Sequence, residues 1–476
     1  MEQLSQEERE FVRSAGGLPT ALQELDDALL SLSLSDRPTD GTMAADAGKA
    51  QAVYRAGEAL LAAWPPKPAR DEFQSKGAEA VKGTLRRVRN SFARSYARLI
   101  YQRATNGYLS FVRAEELVYA VATLCPGLCP TREQVEAELT VPLSDKEGVE
   151  IAQTDFLSHV FACRETGNHL VHAMLRPLPQ WQEHLEKFRR DGRLDLGTAQ
   201  LVRQGPLGCV YFNNLPHLNA EDATTVGPLE TAVDLVLLDP EIQMGLLRGN
   251  QVQHQKYQGH RIFSSGLNLS HLYHGTLPLM FYLTRDLGFV NKLYRGVSGE
   301  IYHPDGPEAT LEKPWMAVVE GFAIGGGCQL LLVLDYVIAE QGAYCNLPAR
   351  KEGIVPGVAP MRLARFIGER QAQAGILFDK AFPVDSPEGR ALVNEVLPAG
   401  EIDAAIERIA LGAAGSGVVS AGANRKAIRI GVEPPDLFRQ YMALYCRVQA
   451  DCHFSPALIR NLQRYWVSRS RPHTPA

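Results

Sequence analysis

The sequence has few cysteines, no long uncharged apolar run and no marked excess of charge of either sign. Its 8 cysteines are spread through 476 residues, which argues against a small secreted scaffold held together by disulfides. The best candidate for a membrane span carries Glu320, Gln329 and Asp335, and such a segment does not predict a transmembrane helix. The net charge of −5 provides no overall attraction to nucleic acid. We therefore expect no membrane partner and no nucleic-acid partner.

Signatures of metal binding and of secretion are missing as well. The 12 histidines are dispersed, and no HExxH motif occurs. Cys125 and Cys129 form a C-x3-C pair without a second Cys or His pair nearby, so turn and core packing is favoured over a zinc site. The N-terminal residues MEQLSQEERE are acidic and polar, unlike a signal peptide. A cytoplasmic protein without a metal site is expected.

The pattern of apolar residues changes twice along the chain and predicts three regions. Residues 1–195 have mainly helical periodicity. Residues 196–400 alternate between strand-like runs and helices, which is typical of an α/β core, and residues 401–476 are helical again. The basic stretch 82–103 interleaves arginines with apolar residues. A solvated face on a packed helix is the favoured interpretation, and proximity to the phosphates of a nucleotide-bearing substrate is the alternative.

The most informative local feature is a strand followed by three glycines and an apolar segment. Met316–Val319 is short and apolar and ends in β-branched residues, as expected of a buried strand. Gly325–Gly327 precede the apolar segment Cys328–Leu334. Glycines at such a turn let a ligand oxygen approach the first N–H groups of the helix, which have no internal partner. The turn can therefore form an oxyanion hole, although close helix–strand packing is the favoured explanation of an isolated run of glycines.

Two further segments change that interpretation. His260–Leu269 (HRIFSSGLNL) is another strand that ends near Gly266 and could present the Leu267 N–H, and Leu347–Gly357 (LPARKEGIVPG) follows later. These segments and their order resemble the crotonase (enoyl-CoA hydratase/isomerase) superfamily over about residues 200–410. The resemblance implies an acyl-CoA substrate and an α/β fold with a spiral core of repeated ββα units. It also implies a helical N-terminal domain and C-terminal helices that assemble a homo-oligomer, either a trimer or a dimer of trimers.

Two positions depart from the hydratases of that superfamily. Hydratases activate water with two glutamates, and the matching positions in this chain are Gln329 and Ala349. An amide cannot act as a general base at neutral pH, and alanine has no proton to exchange. Hydration of a double bond is therefore not expected, and the side chains around the substrate must support another reaction.

A more extended similarity links the chain to the cofactor-independent 3,5-dihydroxyphenylacetyl-CoA dioxygenases known from glycopeptide-antibiotic pathways. It includes the helical N-terminal extension and the segments LNAEDATTV, FSSGLNL, LTRDLGFVNKLYRG, GGGCQL and LPARKEGIVPG. The similarity implies two backbone oxyanion donors, Leu267 and Gly326. It implies that Glu221 and His254 lie near the ring hydroxyls of the substrate. It also implies that Arg285 and Gln329 lie near the reacting end of the substrate. It also implies an apolar pocket for dioxygen: Ala349, Ile354 and Val355.

The reaction that this similarity implies needs no metal or organic cofactor. The thioester and the aromatic ring both acidify the α-carbon of the substrate, and the two backbone donors would stabilise its enolate. The electron-rich enolate would reduce O2, a task that a metal or flavin usually performs. A peroxide at the α-carbon would then attack the thioester carbonyl, expel CoA and leave 3,5-dihydroxyphenylglyoxylate. A dry pocket at Ala349 would admit O2 and exclude water.

The assigned side chains also have simpler explanations. Asn219 is expected to cap a helix that runs to Leu238, so Glu221 could merely complement the dipole of that helix. His254 lies in a polar loop and could be a surface histidine. Arg285 could simply pair with a carboxylate that the fold brings near it, and Gln329 could make a structural hydrogen bond. Another crotonase-fold enzyme, such as a thioester hydrolase or isomerase, and a non-catalytic acyl-CoA-binding protein are the alternative functions. The sequence identifies no base that removes the α-proton.

Overall fold

The computed structural model of the chain describes residues 4–16, 19–304, 309–414 and 417–467. The chain divides into two units, each built from several chain segments. The first unit comprises Met1–Leu170, His274–Met280 and Met442–Phe454, and the second comprises Val171–Tyr273, Phe281–Tyr441 and Ser455–Ala476. The three-region division at residues 195 and 400 stays a prediction.

The first unit is helical, in agreement with the periodicity of its sequence. Its helices are α1 (Gln6–Ser14), α2 (Pro19–Ser31), α3 (Asp40–Ala62), α4 (Glu72–Ala104), α5 (Ala114–Leu124), α6 (Arg132–Glu138) and α7 (Ile151–Ala162), and along the chain they are followed by α8 (Arg164–Leu175) and α9 (Trp181–Asp191). A capping box begins α4, because the Asp71 carboxylate accepts from the Gln74 N–H while the Gln74 side chain accepts from the Asp71 N–H.

The basic stretch 82–103 lies on α4 and packs through its apolar residues. These residues are buried: Leu85, Val88, Phe92, Tyr96 and Ile100. Arginines of the same stretch pair with carboxylates of the same unit. Arg86 Nε lies 2.7 Å from Asp155 Oδ2, and Arg103 Nη2 lies 3.0 Å from Asp40 Oδ1. These ion pairs support the interpretation of a packed helix with a solvated face.

The second unit combines strands and helices, as predicted for an α/β core. Its strands are β1 (Arg193–Asp195), β2 (Ala199–Gln204), β3 (Leu207–Phe212), β4 (Met244–Gly249), β5 (Val297–Ser298), β6 (Thr310–Leu311), β7 (Trp315–Val319), β8 (Phe322–Ile324), β9 (Tyr336–Glu340), β10 (Tyr344–Asn346), β11 (Phe382–Pro383) and β12 (Glu395–Leu397). The helices that follow α9 are α10 (Val226–Leu238), α11 (Leu269–Tyr273), α12 (Met280–Leu287), α13 (Phe289–Arg295), α14 (Gly326–Leu331), α15 (Ala349–Glu352), α16 (Ala359–Arg362), α17 (Ala364–Ile367), α18 (Glu369–Phe378), α19 (Pro387–Leu392), α20 (Ile402–Ala414), α21 (Val418–Val432), α22 (Pro435–His453) and α23 (Pro456–Leu462). Among the residues that the structure describes, no helix is long and apolar enough to cross a membrane.

The main sheet of this unit has seven strands in the order β1-β2-β3-β4-β7-β9-β12. Strands β3, β4, β7, β9 and β12 pair in parallel, whereas β2 pairs antiparallel with both β1 and β3. The predicted strand Met316–Val319 is confirmed as part of β7, whose five residues are all buried. Alternate side chains enter opposite cores: Ala317 and Val319 pack in the core that includes α10, and Met316 and Val318 in the core that includes α20. A strand covered on both faces is apolar throughout for this reason.

Successive repeats of strand, strand and helix bring distant segments of this unit together. In β7-β8-α14 and β9-β10-α15, the first strand joins the main sheet and the second joins a small sheet in which β8 and β10 pair in parallel. The two preceding repeats, which contain β3 and β4, replace the second strand by isolated bridges: Glu221 with Leu267, and Ser264 with Ala323. The helix-entry turns of four repeats therefore adjoin, and the predicted ββα core is confirmed.

One local prediction was wrong. Asn219 does not cap a helix, because α10 begins at Val226 after Thr225. Asn219 lies seven residues before the first residue of the helix and has a left-handed backbone conformation with φ of 54°. Its side-chain amide donates to the Ile262 carbonyl at 2.7 Å. Glu221 consequently lies outside any first helical turn, and the idea that it complements a helix dipole is wrong as well.

Candidate active site

The backbone around Leu267 is held on one side by the Glu221 segment. The Glu221 N–H donates to the Gly266 carbonyl at 2.7 Å, and the Asn268 N–H donates to the Glu221 carbonyl at 2.8 Å. In a parallel bridge of this kind, the residue between the two bonds directs its own N–H away from the partner segment. The Leu267 N–H therefore points away from Glu221, and within the described residues it has no hydrogen-bond acceptor.

The glycine turn before α14 lies directly against Gly266. Gly325 has a φ of 51°, and its N–H donates to the Asn346 carbonyl at 2.8 Å. A methyl group added to Gly266 would lie 3.3 Å from the Gly325 Cα, so the two turns are in contact. The Gly326 N–H, at the start of α14, lacks an acceptor in the part of the chain that the structure describes. Two unpaired backbone donors on adjacent turns are suited to an oxyanion.

A buried ion pair lies directly against Gly326. Arg285, on α12, donates through Nη2 to Glu221 Oε1 at 2.9 Å and through Nε to the other carboxylate oxygen. Glu221 is 2% exposed and Arg285 is 4% exposed. A Cβ at position 326 would collide with Glu221 Oε1, so the ion pair leaves room only for glycine. The turn and the ion pair thus form one packed structure.

The remaining donors of Arg285 hold the first turn of α14. Nη2 also donates to the Gly326 carbonyl at 3.0 Å, and Nη1 donates to Gln329 Oε1 at 2.9 Å and to Asp286 Oδ1 at 2.7 Å. Burial alone would lower the pKa of Arg285, but the Glu221 and Asp286 carboxylates outweigh burial and raise that pKa. Arg285 therefore stays cationic. Glu221, Arg285, Gly326 and Gln329, which are far apart in the sequence, share one hydrogen-bond network.

The residues predicted to line a dioxygen pocket lie on α15 and in the loop after it: Ala349, Ile354 and Val355. The first two are buried and the third is half-buried. The loop continues to Gly357, where a Cβ would collide with Gln329 Oε1 and lie 2.7 Å from Asp286 Oδ2. The loop therefore packs against the Arg285 network, and its role in holding dioxygen stays a prediction.

His254 lies apart from this network. Its Nδ1 accepts from the Lys256 N–H at 3.3 Å, and its ring centroid lies 5.8 Å from that of Tyr257. Within the described chain, no hydrogen bond or ion pair joins His254 to Glu221 or Arg285, and its contact with the substrate ring stays a prediction. The described residues contain no group of three or more His, Cys, Asp or Glu side chains that could hold a metal ion.

Three residues near the site were missed by the reasoning from sequence: Glu352, Gly357 and Tyr441. Tyr441, in α22, donates its hydroxyl to the Gly357 carbonyl at 2.5 Å. Glu352 ends α15 and is 3% exposed. Burial and the nearby Asp379 carboxylate raise the pKa of Glu352 to about 8. The sequence feature that could have indicated Glu352 is its position three residues after Ala349, on the same helical turn.

Comparison with known proteins shows which enzymes this chain is similar to. Residues 258–416 match the enoyl-CoA hydratase/isomerase family model. The chain is 42% identical over 404 residues to (3,5-dihydroxyphenyl)acetyl-CoA 1,2-dioxygenase from Amycolatopsis orientalis, which covers 84% of this chain and 91% of that protein. It is 26% identical over 242 residues to short-chain-enoyl-CoA hydratase from Clostridium acetobutylicum, which covers 50% of this chain and 84% of that protein. Among solved structures, enoyl-CoA hydratase/isomerase from Pseudoalteromonas atlantica T6c is 20% identical with a TM-score of 0.47, and covers 58% of this chain and 100% of that one.

Proposed function

The chain belongs to the crotonase (enoyl-CoA hydratase/isomerase) family, and we propose that it is a dioxygenase of an arylacetyl-CoA thioester. It converts 3,5-dihydroxyphenylacetyl-CoA and O2 to 3,5-dihydroxyphenylglyoxylate and free CoA, without a metal or an organic cofactor. The extent of the similarity to the dioxygenase carries this proposal, because 84% of this chain and 91% of that protein are aligned. The hydratase from Clostridium acetobutylicum aligns with 50% of this chain.

The thioester oxygen of the substrate accepts hydrogen bonds from the Leu267 and Gly326 N–H groups. Loss of the α-proton turns this oxygen into an enolate oxygen, whose negative charge two preorganised donors stabilise more strongly than they stabilise the neutral carbonyl. The contact between Gly266 and Gly325 supports this assignment, as does the lack of a protein acceptor for either N–H among the described residues. The backbone thus supplies the part of the mechanism that is common to acyl-CoA enzymes of this fold.

Arg285 is a positioning residue in this mechanism. It holds the Glu221 carboxylate, the Gly326 carbonyl and the Gln329 amide oxygen at once. Because Gln329 Oε1 accepts from Arg285, the Gln329 NH2 group is left as a donor, and we assign it to the peroxide oxygen that forms beside the enolate carbon. Glu221 retains lone pairs beyond those used by Arg285, and together with His254 it is assigned to the ring hydroxyls.

The oxygen chemistry needs only the enolate and O2. The enolate carbon gives one electron to O2, and recombination of the two radicals forms a bond between the α-carbon and oxygen. The peroxide attacks the thioester carbonyl, the C–S bond breaks, and CoA leaves as a thiolate that takes up the first α-proton. Cleavage of the O–O bond, with loss of the second α-hydrogen as a proton, leaves the arylglyoxylate. The buried Ala349 and Ile354 supply apolar surroundings for O2.

Oxygen consumption tests this function. Protein treated with a chelator and dialysed is mixed with 3,5-dihydroxyphenylacetyl-CoA, while an electrode records O2 and a thiol reagent records free CoA. We expect one O2 consumed for each CoA released, at a rate that added iron or flavin does not raise. Activity that depends on iron or flavin would contradict the proposal. Release of CoA without loss of O2 would indicate a thioester hydrolase instead.

A homo-oligomer, either a trimer or a dimer of trimers, is part of the proposal. Apolar side chains on α21 support it, because Ile428 is 69% exposed and Val432, one turn later on the same face, is 43% exposed. Clustered apolar side chains on a protein surface are typical of interaction sites. Sedimentation velocity at micromolar concentration measures the assembly, and a single monomeric species would contradict this part of the proposal.

A further inference from the structure

Glu352 places a buried carboxyl group beside the glycine turn. It ends α15, three residues after Ala349, and residues three apart on a helix lie on the same face. A methyl group added to Gly325 would lie 3.6 Å from Glu352 Oε1 and 3.9 Å from Oε2. Gly325 directly precedes the Gly326 donor, so the carboxyl group lies beside the turn that presents this donor.

The Glu352 side chain has no favourable partner. In the described part of the chain, its carboxyl group makes no hydrogen bond or ion pair. The charged group that faces it is the carboxylate of Asp379, the residue that follows α18, and this carboxylate is itself paired with Arg350 at 2.7 Å. From α23, the end of α15 meets Leu458 and Asn461, which carry no charge. The glycine turn presents backbone alone.

This environment disfavours the charged form of Glu352, because a buried carboxylate without a partner is strongly destabilised. Burial first, and the Asp379 charge second, raise the pKa of Glu352 to about 8. A general base works best when its pKa lies near the operating pH, and unpaired buried carboxyl groups are common at functional sites. Glu352 therefore combines a position at the site, a free carboxyl group and a suitable proton affinity.

We propose that Glu352 is the general base that removes the α-proton of the arylacetyl-CoA substrate, an inference that rests on the function proposed above. The α-C–H bond breaks, its electron pair forms the enolate, and the negative charge moves to the thioester oxygen held by the Leu267 and Gly326 N–H groups. The proton moves to a carboxylate oxygen of Glu352 and then to the departing CoA thiolate, which regenerates the base. Compared with hydratases, the carboxylate has moved from position 349 to position 352 at the end of the same helical turn, and Ala349 leaves space for O2.

Hydrogen exchange at the α-carbon tests this step separately from the oxygen chemistry. Wild-type protein and Glu352→Gln are incubated with 3,5-dihydroxyphenylacetyl-CoA in D2O under strict anaerobiosis, and NMR follows the loss of the α-proton signal. We expect Glu352→Gln to slow both this exchange and aerobic turnover by about 10²–10⁴-fold. Glu407→Gln changes an exposed glutamate of α20 and should retain the wild-type rates. Circular dichroism checks that each variant is folded.

Asp379→Asn is a second variant that tests the same assignment. Because the base must be ionised to accept a proton, exchange by the wild type should rise with pH until about 8, the pKa of Glu352, and then level off. The variant removes the negative charge that faces Glu352 and releases Arg350 from its ion pair. Both changes favour the ionised form of Glu352, so the rise should shift to lower pH. An unshifted profile would contradict the assignment.

The outcomes distinguish a failure of the base from a failure of the dioxygenase function. If the wild type consumes O2 and folded Glu352→Gln still exchanges the α-proton at the wild-type rate, the role of Glu352 is overturned and the function stands. If the wild type exchanges the α-proton but consumes no O2, the function is overturned, and loss of exchange in Glu352→Gln still supports the base.

Discussion

Two buried glutamates of the second unit face opposite electrostatic surroundings. Glu433 pairs with Arg362, Arg365 and Arg295 at 2.8, 2.8 and 3.2 Å. Burial alone would raise the pKa of Glu433, but the arginines outweigh burial and lower that pKa to about 2. Glu352 is buried without such pairing, and its pKa is raised to about 8.

The difference separates a carboxylate that maintains the fold from one that is available for chemistry. The charge of Glu433 is neutralised by two buried arginines, Arg295 and Arg362, and by the more exposed Arg365, so the carboxylate and the buried arginines depend on one another. The unpaired carboxyl group of Glu352 weakens the folded state, and proteins retain such a group where function requires it. The same substitution, glutamate to glutamine, should therefore have opposite effects on stability at the two positions.

Glu433→Gln should cause the largest loss of stability. Without the carboxylate, the two buried guanidinium groups of Arg295 and Arg362 lose its negative charge, and breaking a buried ion pair of this kind costs about 3–5 kcal/mol. Urea denaturation at pH 7 measures the change in the free energy of unfolding. Glu407→Gln, on the surface of α20, is the control and should stay within about 0.5 kcal/mol of the wild type. A loss below about 1 kcal/mol at position 433 would contradict the structural role.

The pH dependence of stability tests the same cluster without a mutation. The folded pKa of Glu433, about 2, is below the ordinary value of about 4.3 for the unfolded chain. The stabilisation by this carboxylate is therefore fully present above about pH 4.3 and is lost as the pH falls towards 2. Unfolding of Glu433→Gln should depend less steeply on pH across this range than unfolding of the wild type.

Gly326→Ala should reduce activity by about 10²–10³-fold, the effect of losing one oxyanion donor. The added Cβ would collide with Glu221 Oε1, which Arg285 holds in place. The turn must therefore move, and the Gly326 N–H no longer points towards the thioester oxygen. Oxygen uptake measures the loss. Gly227→Ala on the exposed side of α10 meets no atom within 4 Å and should leave activity unchanged. An active Gly326→Ala variant would remove Gly326 from the oxyanion hole.

Arg285→Lys should reduce turnover by about 10²-fold, because small displacements of groups that position a substrate have effects of this size. Lysine keeps the charge but cannot hold Glu221, Gly326 and Gln329 together as the planar guanidinium does. Oxygen uptake over a range of substrate concentrations separates kcat from KM, and we expect the larger change in kcat. Wild-type kinetics would show that charge alone suffices at this position.

Glu352→Gln should have the smallest effect on stability, and of opposite sign to that of Glu433→Gln. The folded pKa of about 8 lies above the ordinary value of about 4.3, so between these values folding must place a proton on Glu352. The need to bind this proton lowers the free energy of unfolding as the pH rises between the two pKa values. Glutamine does not titrate, so the variant has no such loss. The variant should therefore be about 1–3 kcal/mol more stable than the wild type at pH 7 and nearly equal to it at pH 4. Lower stability at pH 7 would reveal a structural partner of Glu352.

The sequence by itself determined the features that depend on neighbouring residues. The apolar run of β7 and the glycines after β8 have local causes, which are side-chain alternation and backbone freedom, and both were predicted correctly. The family resemblance then assigned residues without knowledge of their contacts. Glu221, Arg285, Gly326 and Gln329 do share one network.

The tertiary structure decided everything that depends on surroundings supplied by distant segments. Asn219 was predicted to cap a helix, but its side-chain amide donates a hydrogen bond to the carbonyl of Ile262, which is far away in the sequence. His254 was grouped with Glu221, yet its described partners are its own loop neighbours. A lone glutamate carries no sign of whether a cation will face it, because that depends on which helices pack around it. The packing of α15, α18 and the glycine turn leaves Glu352 unpaired, and the sequence alone could not predict this lack of a partner.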